Sequence, residues 1–192
     1  MKKRIDRLCI WLGIGLLVCA LVTLFCWQFG IHSAEEKMDG YVQRIRALLP
    51  APQGAVLEER SDNTMPVLCL DGTDFVGLLE LPSHGSALPV CAEWGEVTRY
   101  PCRLGGSVYD RTMQIGGMSQ KGQYDFYREI SVGDGVYFTD MEGNRFAYEV
   151  TDIRYETHAD QSALQRSPSA LTLFVKNVYA FEYIIIFCNP PH

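Results

Sequence analysis

Residues 66–192 form a series of short apolar runs that turn-forming residues separate at regular intervals. The runs are rich in Val, Ile, Phe, Tyr and Leu, and the separators are Gly, Pro, Asp and Ser. Many short β-rich runs of this kind are typical of an all-β barrel or sandwich. The pattern predicts short helical turns at 124–130 and 160–165, and strands near 66–70, 75–81, 87–92, 96–101, 107–116, 135–140, 145–155, 170–175 and 183–188.

A long segment without charged residues, Leu8 to Trp27, lies near the N-terminus. As a helix, such a segment is long enough to span a hydrocarbon layer of roughly 30 Å. Residues 1–7 carry four basic residues and one acidic residue, a bias that places the N-terminus in the cytoplasm. We therefore predict a cytoplasmic tail at 1–7, a single transmembrane anchor at 8–29 and an extracellular remainder. A cleaved signal peptide is the alternative, but no Ala-x-Ala site follows the segment.

A second helix is predicted after the anchor. Ser33 and Glu36 have the spacing of a capping box, which favours a helix start. Apolar residues then recur at helical spacing until the proline-rich sequence after Leu49 ends the pattern. The stripe consists of Met38, Tyr41, Val42, Ile45, Leu48 and Leu49. We expect this amphipathic helix and its linker (33–54) to pack on the chain's own barrel (55–192), with a partner protein or the membrane surface as alternatives.

Length, composition and charge narrow the function. A chain of 192 residues with 47% hydrophobic content holds one modest domain beyond the anchor. Without residues 1–7, the chain has 13 basic and 22 acidic residues, a formal charge of −9. An acidic domain of this kind is an improbable partner for nucleic acid. We therefore expect no nucleic-acid partner.

Several segments of the outer part together resemble the sortases, the membrane-anchored cysteine transpeptidases of Gram-positive bacteria. The order and spacing of the segments carry the resemblance more than any one of them. They are VGLLELP at 76–82, LPV at 88–90, PCR at 101–103, QIGGMS at 114–119, the run 133–140 and the stretch 171–188, which contains TLFVK at 172–176. The resemblance implies a closed sortase-like β-barrel with short helices.

The resemblance also implies a set of catalytic positions, and here the chain departs from the family. In sortases a histidine acts as general acid or base, a cysteine thiolate attacks a Thr-Gly bond, and an arginine stabilises the oxyanion. The corresponding positions here hold Met118, Lys176 and Tyr183. Methionine has no proton to move, and the carboxylate of Glu182 beside Tyr183 would repel an oxyanion. A second histidine that related members often carry is Gln123 here.

Two other sets of residues could supply a nucleophile. A lysine can activate a hydroxyl, which suggests a pair of Ser119 and Lys176. Adjacent strand residues point to opposite faces, however, so Ser119 should face away from the groove if Met118 faces it. A relocated pair of Cys188 and His158 is the other candidate. A buried or bridged cysteine and a solvated loop histidine are the simpler reading.

Four cysteines lie outside the predicted anchor: Cys69, Cys91, Cys102 and Cys188. An extracellular location permits disulfides, and four cysteines allow three pairings, which the sequence leaves open. The resemblance favours Cys102 with Cys188 if a bridge forms, because both lie in matching segments. No Cys-x-x-Cys motif is present, so we expect neither a zinc site nor a cofactor.

The sequence thus predicts a single-pass membrane protein of a Gram-positive cell surface with an inactive, sortase-like outer domain, that is, a pseudo-sortase. Its function would lie in binding a sorting-signal-like peptide, a pilin or other surface protein, or an active sortase. One alternative is an active sortase transpeptidase, for surface-protein anchoring or pilus assembly, with an unrecognised nucleophile. Another is a structural ectodomain without a peptide site.

Overall fold

The computed structural model describes residues 2–50, 53–54, 64–157, 169–180 and 182–191. The chain divides into two units, Met1–Lys37 and Met38–His192. The predicted helical turn at 160–165 lies outside the described residues.

Helix α1 extends from Lys2 to Leu48. It passes through Ser33 without a break, which differs from the predicted helix start at that residue. The sequence between the predicted anchor and Ser33 explains the difference, because it contains no proline and a single glycine, Gly30. Within the residues that the structure describes, no helix has both the length and the hydropathy needed to cross a membrane.

The end of α1 belongs to the second unit and is amphipathic, as predicted. Met38, Val42 and Ile45 are buried, and the last two share an apolar cluster with Phe75 and Leu78. The prediction that this stripe packs on the chain's own strands is confirmed for Val42 and Ile45, with Tyr41 and Leu49 partly buried against the same cluster, whereas Leu48 is exposed.

Among the described residues of the second unit, the structure has ten strands after α1. They are β1 (Gln53–Gly54), β2 (Leu68–Leu70), β3 (Thr73–Leu81), β4 (Ser86–Cys91), β5 (Cys102–Gly105), β6 (Met113–Met118), β7 (Gly135–Asp140), β8 (Asn144–Glu156), β9 (Leu171–Lys176) and β10 (Tyr183–Asn189). Three 3-10 helices interrupt them: Pro82–His84, Trp94–Glu96 and Asp125–Arg128. The last of these confirms the helical turn predicted at 124–130.

Eight of the strands close into a barrel. Neighbouring strands pair in the order β3, β4, β5, β6, β9, β10, β8 and β7, and β7 pairs again with β3. The short strands β1 and β2 extend the sheet beside β8 and β3. The predicted closed β-barrel is therefore confirmed.

Two predicted strands differ from the structure. The region predicted as a strand at 96–101 holds a 3-10 helix, Trp94–Glu96, and turns. The region predicted at 107–116 becomes a strand only at Met113. Before that, one carboxylate oxygen of Asp110 accepts hydrogen bonds from the backbone N–H groups of Ser107 and Thr112. Such side-chain bonds to the backbone compete with strand pairing.

The barrel interior is filled from alternate positions of each strand, as the two-residue period of strands requires. On β6, β9 and β10 these inward positions include Ile115, Leu173 and Ile184, all 0% exposed. The outward positions of the same three strands form the candidate site.

Candidate functional site

The ends of three adjacent strands bring the predicted site residues together. Met118 of β6 lies opposite Lys176 of β9 in a parallel pair. Lys176 lies opposite Tyr183 of β10 in an antiparallel pair. The three residues therefore form one row across the sheet, which we call the 118/176/183 row. Lys176 is exposed, whereas Met118 and Tyr183 are half-buried.

The 118/176/183 row forms part of a concavity of about 470 Å³. The rest of the described lining comes from Thr157 at the end of β8 and from the connection between β9 and β10. That connection contributes Asn177, Val178, Tyr179, Ala180 and Glu182. The side chains of Val178 and Tyr179 are 43% and 76% exposed, so the rim of the concavity presents apolar surface to solvent.

Buried polar groups hold the connection in place. The Asn177 side chain is buried and donates a hydrogen bond of 2.7 Å from Nδ2 to a Glu182 carboxylate oxygen. Its Oδ1 accepts from the backbone N–H of Tyr179 at 3.0 Å. The Ser119 hydroxyl donates to the same Oδ1 and accepts from the backbone N–H of Val178. These hydrogen bonds restrain residues 177–179 of the connection and join them to Glu182 and to the end of β6.

Lys176 does not use the carboxylate nearest to it in sequence. Glu182 accepts its hydrogen bond from Asn177 instead. No ion pair between described residues involves Lys176. Lys176 is also the only cationic side chain in the described lining of the concavity.

Aromatic packing supports the row from the outer face of the barrel. The Tyr183 ring stacks on Phe174, with ring centroids 5.1 Å apart and an interplanar angle of 20°. Phe174 and Ile185 are each 6% exposed and form a small cluster apart from the barrel interior. The row thus lies beside this apolar cluster.

The amide of Gln123 fixes the end of β6. Its Oε1 accepts a hydrogen bond from the backbone N–H of Met118 at 2.8 Å, and its Nε2 donates to the carbonyl of Val97 at 3.2 Å. The residue is buried. Gln123 therefore joins β6 to the segment after β4, and an amide has no titratable proton to exchange there.

Two glycines of β6 allow aromatic rings close to the strand. A Cβ on Gly116 would lie 2.4 Å from the ring of Trp94, and a Cβ on Gly117 would lie 2.5 Å from the ring of Tyr124. Glycines inside a strand are a general sequence signal for close approach of this kind. The rings that use the space could not be identified from the sequence.

The alternative nucleophiles do not reach the concavity. Ser119 is buried, and its hydroxyl both donates and accepts within the network of Asn177. Cys188 faces the barrel interior, where burial raises the pKa of its thiol to about 12 and so disfavours the reactive thiolate. Its suggested partner, His158, lies outside the described residues. Thr157 is the one aliphatic hydroxyl in the described lining.

The expected bridge between Cys102 and Cys188 is wrong. Both thiols are buried, but they lie on strands that are not neighbours in the sheet. Cys102 begins β5 and lies opposite Cys91, the last residue of β4, whereas Cys188 belongs to β10. Segments that match a family in sequence need not contain neighbouring residues, and only the register of the strands decides which cysteines meet.

The 118/176/183 row supplies no thiolate, imidazole or guanidinium group. It offers instead a thioether, an ammonium and a phenol beside an apolar rim. These groups can contact an extended chain and pair with an anionic group.

Solved structures with a similar fold are sortases. Sortase A from Corynebacterium diphtheriae is 16% identical, and the match covers 84% of each chain with a TM-score of 0.52. Listeria monocytogenes sortase A is 17% identical over 62% of this chain and 88% of that chain, with a TM-score of 0.52. Sortase C1 from Streptococcus suis is 17% identical over 62% and 74%, with a TM-score of 0.50. No protein-family model and no curated protein matches the chain.

The chain therefore has a sortase-like fold, as its sequence motifs predicted. At identities of 15–17%, the likeness defines the architecture, and function has to be argued from the site.

Proposed function

We propose that the chain is a membrane-anchored pseudo-sortase of a Gram-positive cell surface. Its outer domain binds an extended, sorting-signal-like peptide of a surface protein or pilin and does not cleave it. The observation that carries the proposal is the 118/176/183 row. A sortase-like barrel brings these three strand ends together, and the residues there supply neither nucleophile, proton donor nor oxyanion cation.

The loss of chemistry follows from what transpeptidation requires. A thiolate has to attack the carbonyl, an acid has to protonate the leaving amine, and donors or a cation have to stabilise the oxyanion. Groups that act as a unit are strongly non-additive when one is removed. With Met118, Lys176 and Tyr183 at these positions, the site lacks the thiolate, the acid and the oxyanion cation together. No part of the catalytic set remains.

Binding is supported by the surroundings of the row. The concavity has an apolar rim, with Val178 and Tyr179 exposed, and part-buried hydrogen bonds restrain residues 177–179 beside it. A preorganised surface loses less conformational entropy when a ligand binds. Exposed aromatic side chains such as Tyr179 are common binding anchors.

The binding test uses the full-length chain in mild detergent and fluorescent peptides that each contain a Thr-Gly bond. Fluorescence anisotropy gives the Kd. We expect saturable binding, and about tenfold weaker binding for Tyr179→Ala, because losing one anchor costs on the order of 1.4 kcal/mol. Tyr155→Ala is the matched control, since Tyr155 is 61% exposed but does not line the concavity.

Two outcomes would redirect the proposal. Equal weakening by Tyr155→Ala and Tyr179→Ala would place binding elsewhere on the surface. No binding by any peptide of the panel would favour the structural ectodomain, and an active sortase or a whole pilin offered in the same assay would test protein docking directly.

Membrane anchoring is the second part of the proposal. Support comes from the uncharged segment Leu8 to Trp27, its basic flank and the large apolar side chains that α1 exposes between Trp11 and Phe25. Protease treatment of intact cells should remove the outer domain. Survival of the domain under conditions that remove a known surface protein, with loss only after permeabilisation, would contradict this topology.

A further inference from the structure

The segment 92–101 leaves the barrel at the end of β4 and returns at the start of β5. Its two ends meet, because Cys91 and Cys102 are direct partners in the pairing of these strands. The backbone N–H of Cys91 also donates to the carbonyl of Pro101 at 2.8 Å. The segment is thus a loop whose base is formed by two cysteines.

The two side chains of this base lie on neighbouring strands, directly beside each other. Cys91 and Cys102 are direct partners in a parallel pair of strands, which puts their side chains on the same face of the sheet, and each thiol affects the pKa of the other. The Cys102 thiol also donates to the carbonyl of Tyr100 at 3.3 Å. Both residues are almost fully buried, at 1% and 0% exposed, so neither thiol is accessible at the surface.

We propose that Cys91 and Cys102 are the site of an intramolecular disulfide that closes the segment 92–101 into a covalent loop. Paired strands place partner Cα atoms about 4.8 Å apart. That separation lies inside the range of about 4.4 to 6.8 Å that disulfides span.

The chemistry is a two-step thiol–disulfide exchange with a small-molecule disulfide such as oxidised glutathione. One cysteine thiolate attacks a sulfur of the small disulfide and releases one small thiol. The second cysteine attacks the resulting mixed disulfide and releases the other. Two protein thiols are oxidised, one disulfide is reduced to two thiols, and the two protons of the cysteines pass to the released thiolates.

The timing of the bond follows from burial. Burial raises the pKa of both thiols, which lowers their thiolate fraction in the folded chain. The oxidant also cannot reach sulfurs that are 0–1% exposed. The disulfide therefore forms while the segment is still unpacked, during folding in an oxidising environment.

The loop that the bond would close packs against the candidate site. Its Trp94 ring lies on Gly116 of β6, two residues before Met118. Its Val97 carbonyl accepts from Gln123, and its Thr98 carbonyl accepts from Gln120 at 2.9 Å. The disulfide would thus secure the segment that holds the end of β6.

The test is a peptide map of the full-length chain after refolding with oxidised and reduced glutathione. Free thiols are alkylated, and the unfolded chain is digested with trypsin without reduction. Cys102 then lies in peptide 100–103 and Cys188 in peptide 177–192, whereas Cys69 and Cys91 share peptide 61–99. The map is therefore made on Cys69→Ala, whose exposed position makes it a mild change.

We expect peptide 61–99 linked to peptide 100–103, and loss of that link in Cys69→Ala with Cys91→Ala. Reduction should lower the Tm of the Cys69→Ala chain by about 5 to 10 °C, since closing a short loop restricts the unfolded chain. The variant that also lacks Cys91 should show no dependence on reductant. Alkylated Cys91 and Cys102 in a chain that circular dichroism shows to be folded, or a link from 100–103 to 177–192, would overturn the proposal.

Discussion

The inner and outer faces of β6, β9 and β10 differ in how deeply their side chains are buried. On the inner face, Ile115, Leu173 and Ile184 are fully buried in the barrel. On the outer face, Met118 and Lys176 are the last residues of β6 and β9, Tyr183 is the first residue of β10, and all three are exposed or half-buried. Because side chains alternate along a strand, the two sets can change independently. A sortase-like barrel can therefore persist after the chemistry on its outer face has been replaced.

The largest effect is expected on the inner face of β9. Leu173→Ala should destabilise the fold by about 2–5 kcal/mol, because it removes buried methyl groups and leaves a cavity. Urea titration of the full-length chain in detergent, followed by circular dichroism, measures the free energy of unfolding. A loss under about 1 kcal/mol would mean that the barrel interior tolerates cavities and that the comparison of the faces fails.

The two adjacent glycines of β6 test the comparison of the inner and outer faces within one strand. Gly117→Ala places a methyl group against Tyr124, which is 0% exposed and confined, so a cost of about 1–3 kcal/mol is expected from overpacking. Gly116→Ala meets Trp94, whose ring is 42% exposed and can turn aside. Its cost should be about 1 kcal/mol or less.

Both variants are measured by the same titration, with the unmodified chain as reference. Equal costs, or a larger cost for Gly116→Ala, would show that Trp94 is held as firmly as an interior ring. The outer face would then contribute to stability as the inner face does.

The smallest effect is expected at the outward end of β9. Lys176→Ala should change the free energy of unfolding by no more than about 0.5 kcal/mol, because the side chain is exposed and forms no ion pair with a described residue. Leu173→Ala on the same strand is the matched contrast. A loss above about 1 kcal/mol would give Lys176 a structural role.

Regular alternation made much of the barrel predictable. The strands at β7, β9 and β10 follow apolar β-rich runs, and each begins and ends within two residues of its predicted bounds. Segment 96–101 was mistaken for a strand because its apolar and aromatic residues pack as a loop. Tyr100, for example, packs edge-on against Phe75 of β3, a long-range contact that no local pattern encodes.

The candidate site also has a part that the sequence predicted and a part that it did not. Sequence motifs placed Met118 and Lys176 at strand ends, and counting along the chain added Tyr183. The structure then aligned all three in one row. The network of Asn177, Ser119 and Glu182 was missed because it depends on a 58-residue separation between Ser119 and Asn177. The sequence also did not single out Cys91 and Cys102 as neighbours, because the register between strands is a tertiary property.

The central claim is that the sortase-like barrel remains while its transpeptidase chemistry is absent. The most direct measurement is the turnover of fluorophore-quencher peptides containing a Thr-Gly bond by the full-length chain in detergent. We expect no turnover by the unmodified chain or by Lys176→Cys, which regains a thiol without its acid or oxyanion cation. Turnover by the unmodified chain that is lost on Lys176→Ala, Ser119→Ala or Thr157→Ala would contradict the claim.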